Sequence, residues 1–145
     1  MVIKNEVIYI ACPYSSKHKG TRTRRTFIAT AWANYLMQKP ESPIVFSPLT
    51  HFHPIAEVGD LPTEWCYWER QDLFFLEKCT TLHVLCLPSW IKSRGVQAEI
   101  AAAKRFGKII IYIPQREVSR VLAEVKLKHH KRAQVRDSFK GVKYA

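Results

Sequence analysis

Thr81-Leu82-His83-Val84-Leu85-Cys86-Leu87 runs straight into Pro88-Ser89-Trp90-Ile91-Lys92-Ser93-Arg94-Gly95-Val96-Gln97-Ala98-Glu99. The first seven residues are apolar nearly throughout, the pattern of a strand buried on both faces. Beyond Glu99 an alanine-rich run reaches Phe106, and Gly107 is a natural helix stop. The junction is therefore a strand-to-helix turn, the place where open parallel sheets put their ligands. At about 100° per residue, Val96, Glu99, Ile100, Ala103 and Phe106 share one side of that helix. Glu99 thus combines the positive end of a helix dipole with apolar neighbours that raise a carboxyl pKa. The plainer reading is a Glu that only favours the helix start. A second acid of the same kind elsewhere tips the choice.

Working outward, the same alternation recurs. Residues 7–11 read as a first strand, ended by Cys12-Pro13-Tyr14-Ser15-Ser16. A helix is expected from Thr21, with Phe27, Ile28, Ala31, Trp32, Tyr35 and Leu36 at helical spacing and Pro40 closing it. Residues 43–48 form a short strand between prolines, and residues 49–61 read as a loop. Pro62 suits the first turn of a helix reaching Cys79. Ile109-Ile110-Ile111-Tyr112-Ile113 is a fourth strand stopped at Pro114, and a basic amphipathic helix with a loose end follows from Val118. This β-α-β-α-β-α-β-α order predicts an α/β fold, a parallel sheet with helices on both faces. Neither G-x-G-x-x-G nor G-x-x-x-x-G-K-[ST] is present, which argues against a dinucleotide fingerprint or a P-loop.

At 145 residues and 47% hydrophobic, the chain has the size and apolar content of one domain with a real core. No apolar stretch approaches the ~20 residues of a membrane span, and the short apolar run near the N-terminus reads as a strand, not a signal peptide. The 4 cysteines lack C-x-x-C spacing, so neither a zinc knuckle nor a redox motif is expected; two of them lie on apolar stretches as reduced core residues, and the expected setting is cytoplasmic. The net charge of +11 is concentrated in two places, residues 17–25 and the tail 126–143. Such clusters mark phosphate or polyanion partners, or a solvated surface.

The second acid is Asp72. On the helix after Pro62, Trp65, Trp68, Phe75, Leu76 and Cys79 cluster on one side with Asp72 among them. An Asp amid aromatic rings is costly unless it is hydrogen-bonded or has a task; capping a loop or pairing with a buried Arg are structural alternatives. Two carboxylates flanking a crevice are the arrangement that cleaves glycosidic bonds.

Tyr9-Ile10-Ala11-Cys12-Pro13-Tyr14-Ser15, Ser47-Pro48, Asp72 with Leu76, and Ser93-x-Gly95-Val96-x-x-Glu99 with Ala102 occur in an order and spacing that resemble the nucleoside 2-deoxyribosyltransferase-like superfamily over residues 8–113. The nearest likeness is to an uncharacterised bacterial and phage branch, near the 2′-deoxynucleoside 5′-monophosphate N-glycosidases. The resemblance implies a flavodoxin-like domain over residues 1–115, with 116–145 as a basic C-terminal helix and tail of the same domain. It also implies a homodimer or higher homo-oligomer with a shared active site, the segment 114–123 being the candidate donor across the boundary. Glu99 then resembles the nucleophile, Asp72 the acid or base, and Tyr9 the hydroxyl that positions Glu99.

Transferases acting on free nucleosides usually carry Asp where this chain has Ser93, whereas the monophosphate hydrolases carry Ser. Ser93, Gly95, Ser15 and Arg22, with Lys17 nearby, make the expected phosphate cradle, helped by helix N-terminal amides. His51, His53, Trp65 and Trp68 are the candidates for stacking on or bonding a base. No metal and no cofactor are expected. The expected function is hydrolysis of the N-glycosidic bond of a (2′-deoxy)nucleoside 5′-monophosphate through a glycosyl-Glu intermediate. The alternatives are a nucleoside 2-deoxyribosyltransferase and a non-catalytic nucleotide-sequestering protein. A nucleic-acid-binding module, motivated by charge alone, ranks last because no basic strand is interleaved with aromatic residues.

Overall fold

A computed structural model describes residues 5–139; the end of the basic tail, 140–145, lies outside the described residues. The elements are β1 (Val7–Ala11), α1 (Lys19–Met37), β2 (Ile44–Phe46), α2 (Pro48–Gly59), α3 (Trp65–Lys78), β3 (Thr81–Cys86), α4 (Arg94–Arg105), β4 (Ile109–Pro114) and α5 (Gln115–Phe139). A 3₁₀ turn, Trp90–Lys92, lies between β3 and α4. The chain is an α/β fold of the flavodoxin/Rossmann kind. Its four parallel strands are ordered β2-β1-β3-β4, in register through Ile8↔Val45, Tyr9↔Leu82 and Leu82↔Ile110.

Strand order dictates which helices share a face. From β1 the chain moves one way to β2, then reverses past β1 to β3 and continues to β4. Right-handed crossovers put connections of opposite direction on opposite faces. One face is accordingly covered by α1 and α5, where Ile8, Ile10, Trp32, Leu36, Val118 and Val121 pack together. The other is covered by α3 and α4, where Tyr9, Ala11, Leu76, Val96 and Ile100 pack. Residues of β1 alternate between the two cores, which sends Tyr9 to the α3/α4 side.

Expectations for α2, α3 and α5 are corrected. Pro62 does not lie in the first turn of α3, which begins at Trp65. Residues 49–61 are not a loop; most of them form α2. Ser47 caps this helix, its Oγ accepting from the Thr50 backbone N–H at 3.4 Å and from Thr50 Oγ1 at 2.9 Å. Pro48 opens it, where a missing N–H is no loss, and Asp60 ends it in the left-handed region at φ 49°. Pro54 lies inside the helix, and its breaker character is what conceals the helix in the sequence.

Helix α5 begins at Gln115, three residues ahead of the expected Val118. It packs on the body through Val118, Val121, Leu122 and Val125; every residue from 126 to 137 is exposed. Among the described residues, no helix is long and apolar enough to cross a membrane.

Candidate active site

The turns after β1, β2 and β3 and the first turn of α4 enclose a cavity of about 400 Å³. It lies at the carboxyl ends of β1 and β3, where the chain reverses direction across the sheet, the crevice expected of such folds. Its floor carries the two acids. Glu99 is 5% exposed and Asp72 8% exposed, and both line the cavity. They meet because α3 and α4 lie side by side on one face of the sheet, with Tyr9 beneath them.

The Tyr9 hydroxyl donates to Glu99 Oε1 at 2.7 Å across a wholly buried contact. Asp72 Oδ1 is buried with no hydrogen-bond partner. Burial pushes the Asp72 carboxyl up to about 7. Glu99 is raised well above the usual carboxylate range, first by burial and then by the negative charge of Asp72; the Tyr9 hydrogen bond opposes this. Tyr9 itself is raised by burial and by Glu99. Two buried acids side by side hold on to protons that either alone in water would release near pH 4.

The remaining expected residues distribute unevenly. Ser93 is the N-cap of α4, its Oγ accepting from the Val96 N–H at 3.4 Å, and it lines the cavity with Gly95. The Trp65 ring lies over Gly95, so close that a Cβ at Gly95 would come 3.2 Å from Trp65 Cε3. Trp68 lines the same wall, with its indole N–H donating to the Pro62 carbonyl at 2.7 Å. Ser15 also lines the cavity, but its hydroxyl donates to the Thr63 carbonyl at 2.6 Å. Its proton is therefore committed within the protein.

Besides Tyr9, which lies beneath the two acids, three expected residues fall outside the lining: Lys17, Arg22 and His51. Arg22 donates to the Ser16 carbonyl and lies 3.8 Å from Glu57. His51 is exposed, with its ring against Phe46 and Phe52. The cations that do line the cavity are Arg25, Lys92 and Arg94. Arg25 donates through Nη1 to the Tyr14 and Ser15 carbonyls at 3.2 and 3.0 Å and so fixes the turn after β1. It is about one helical turn beyond Arg22 on the same side of α1. His53 faces inward where His51 does not, and its Nδ1 is 2.7 Å from the Tyr14 hydroxyl. Sequence reasoning missed Tyr14 and Phe52, which also line the cavity; Phe52 became visible only once α2 was known to be a helix. Among the described residues, no group of three or more His, Cys, Asp or Glu side chains is arranged to hold a metal ion.

The cavity is thus acidic at its floor, aromatic along the α2/α3 wall and cationic at the α4 turn. A family model covers residues 6–114, which include every element that builds the cavity. The chain belongs to the family described as Domain of unknown function (DUF1937). No curated protein matches it. The span matched to the DUF1937 model ends with the last residue of β4, so α5 lies beyond it.

Proposed function

We propose that this DUF1937 chain hydrolyses the N-glycosidic bond of a (2′-deoxy)nucleoside 5′-monophosphate. The observation that carries the reading is the buried Tyr9–Glu99 hydrogen bond facing the same cavity as the unpartnered Asp72 carboxyl. Its likeness to the nucleoside 2-deoxyribosyltransferase-like superfamily at these positions supports the assignment of roles. Glu99, as carboxylate, attacks the anomeric carbon; the bond to the base nitrogen breaks and its electron pair leaves with the base. Asp72, with its carboxyl lifted to about 7, is a proton donor for that nitrogen at neutral pH. Water, giving a proton to the Asp72 carboxylate, then attacks the anomeric carbon; the bond to Glu99 breaks, returning its carboxylate and releasing a sugar 5-phosphate. Tyr9 keeps its hydrogen bond on the Glu99 oxygen and fixes the attacking geometry. Lys92, Arg94 and the Ser93 turn suit the phosphate, and Trp65, Trp68 and Phe52 suit a planar base.

A site completed by a second copy of the chain, as in the resembled superfamily, belongs to this proposal. One observation favours the non-catalytic alternative. Burial and the neighbouring Asp72 charge raise the Glu99 carboxyl well above the usual carboxylate range, which disfavours the carboxylate form that the attack requires.

The test is incubation of wild type and Glu99→Ala with a panel of nucleoside monophosphates and free nucleosides, followed by chromatography of released base. Wild type releases base and Glu99→Ala does not, while both bind the nucleotide. Asp72→Asn lowers the rate about 10²-fold or more. Ser93→Asp harms phosphorylated substrates more than free nucleosides. Equal release by wild type and Glu99→Ala, or binding with no release by wild type, rejects the catalytic reading.

A further inference from the structure

The cavity accounts for Arg25, Lys92 and Arg94; it leaves most of the +11 charge unexplained. A concentrated share of the remainder lies on the second half of α5. Up to Val125 this helix has an apolar stripe against the body and two ion pairs on its surface, Arg120 with Glu117 and with Glu124. Beyond Val125 the character changes. Residues 126–137 hold Lys126, Lys128, Lys131, Arg132 and Arg136 against a lone acid, Asp137, and all of them are exposed. Among the described residues, no ion pair ties any of these five cations to a carboxylate, and the stretch exposes Leu127 and Val135 beside them.

The cations are not scattered. Lys128, Arg132 and Arg136 follow at i, i+4 and i+8, forming one ridge with a spacing of about 6 Å along the helix. Lys131 flanks the ridge. Lys128 Nζ donates to Gln38 Oε1 at 3.1 Å, and Gln38 is the C-cap of α1. The ridge therefore leaves the body at the end of the sheet opposite the cavity. The exposed stretch is about 18 Å long at 1.5 Å per residue, a length that an open groove of duplex nucleic acid admits.

We propose that the second half of α5 is a binding surface for the phosphate backbone of double-stranded nucleic acid. A rigid line of cations matches a regularly spaced line of phosphates and reads no sequence. A single strand is the poorer fit, because such sites supply aromatic rings for the bases, and residues 126–137 contain no Phe, Tyr or Trp. The surface lies outside the span shared with the DUF1937 family. It does not depend on the glycosidase reading, and its success or failure leaves that reading untouched.

The test is fluorescence anisotropy of a labelled duplex of random sequence titrated with the full chain over a series of salt concentrations. Wild type binds at low salt, and log K falls against log salt with a slope of about −3, set by three phosphate contacts. The variant K128Q/R132Q/R136Q binds at least tenfold more weakly, with a slope shallower by about 2 to 3. The variant R24Q/K78Q/K104Q, which removes the same charge from exposed positions elsewhere, stays close to wild type. Circular dichroism of both variants reports whether the helix is kept; should the triple variant lose helix, the single R132Q is read in its place. Equal weakening by both triple variants overturns the proposal in favour of net charge. So does wild-type affinity in K128Q/R132Q/R136Q, or no duplex binding at low salt. Capture by anionic phospholipid vesicles through the same three residues, without duplex binding, assigns the ridge to a membrane surface instead and equally overturns it.

Discussion

Burial lifts the Asp72 carboxyl from 3.8 to about 7 and Glu99 in the same direction, and His83 moves the other way. His83 is buried on the α1/α5 face, where its Nδ1 accepts the Trp32 indole N–H at 3.2 Å, and burial lowers its pKa to about 4. The two shifts tilt stability in opposite senses. Between about pH 4 and 7 the folded chain keeps the Asp72 proton that the unfolded chain has released, so stability is lost as pH rises through that window. Asp72→Asn removes the penalty; its unfolding free energy relative to wild type should grow by about 1–3 kcal/mol between about pH 5 and pH 8, measured by urea denaturation. For His83 the unfolded chain takes up a proton near 6.5 that the folded chain refuses until about 4. Stability is therefore lost as pH falls through that range, and His83→Gln should flatten this acid limb in the same assay. Gly95→Ala tests the contact with Trp65. The added methyl favours the helix by up to about 1 kcal/mol but obliges the indole to shift, so melting stays near wild type while nucleotide affinity falls.

Among the elements, α2 teaches the most about what the sequence conveys. Ser47→Ala should destabilise the chain by about 1 kcal/mol, read by thermal melting, because the hydroxyl serves both the Thr50 N–H and the Thr50 hydroxyl. Those capping residues were in plain view, and Pro54 outweighed them. Strands β1, β3 and β4 were legible because short apolar runs between breakers have few other good uses. Asp72 and Glu99 were legible as polar residues on apolar stripes. Their convergence was not, since helical phase says nothing about which face of a sheet a helix covers; strand order does, and the order β2-β1-β3-β4 is a tertiary fact. The same gap explains His53 against His51. The residue types are identical, and the inward one is chosen by the orientation of its helix on the body.

On the scale of the whole molecule, the cavity and the basic half of α5 are separated. The cavity occupies the end of the sheet where the strands terminate, and the basic half of α5 departs from the other end. The hydrogen bond that defines the cavity floor joins Tyr9 to Glu99 across 90 positions of chain. No fragment shorter than the span from the first strand to the fourth helix can own a working floor. A polypeptide emerging from synthesis lacks this floor until α4 docks, and two halves severed in the turn between α1 and β2 rebuild it only by finding one another.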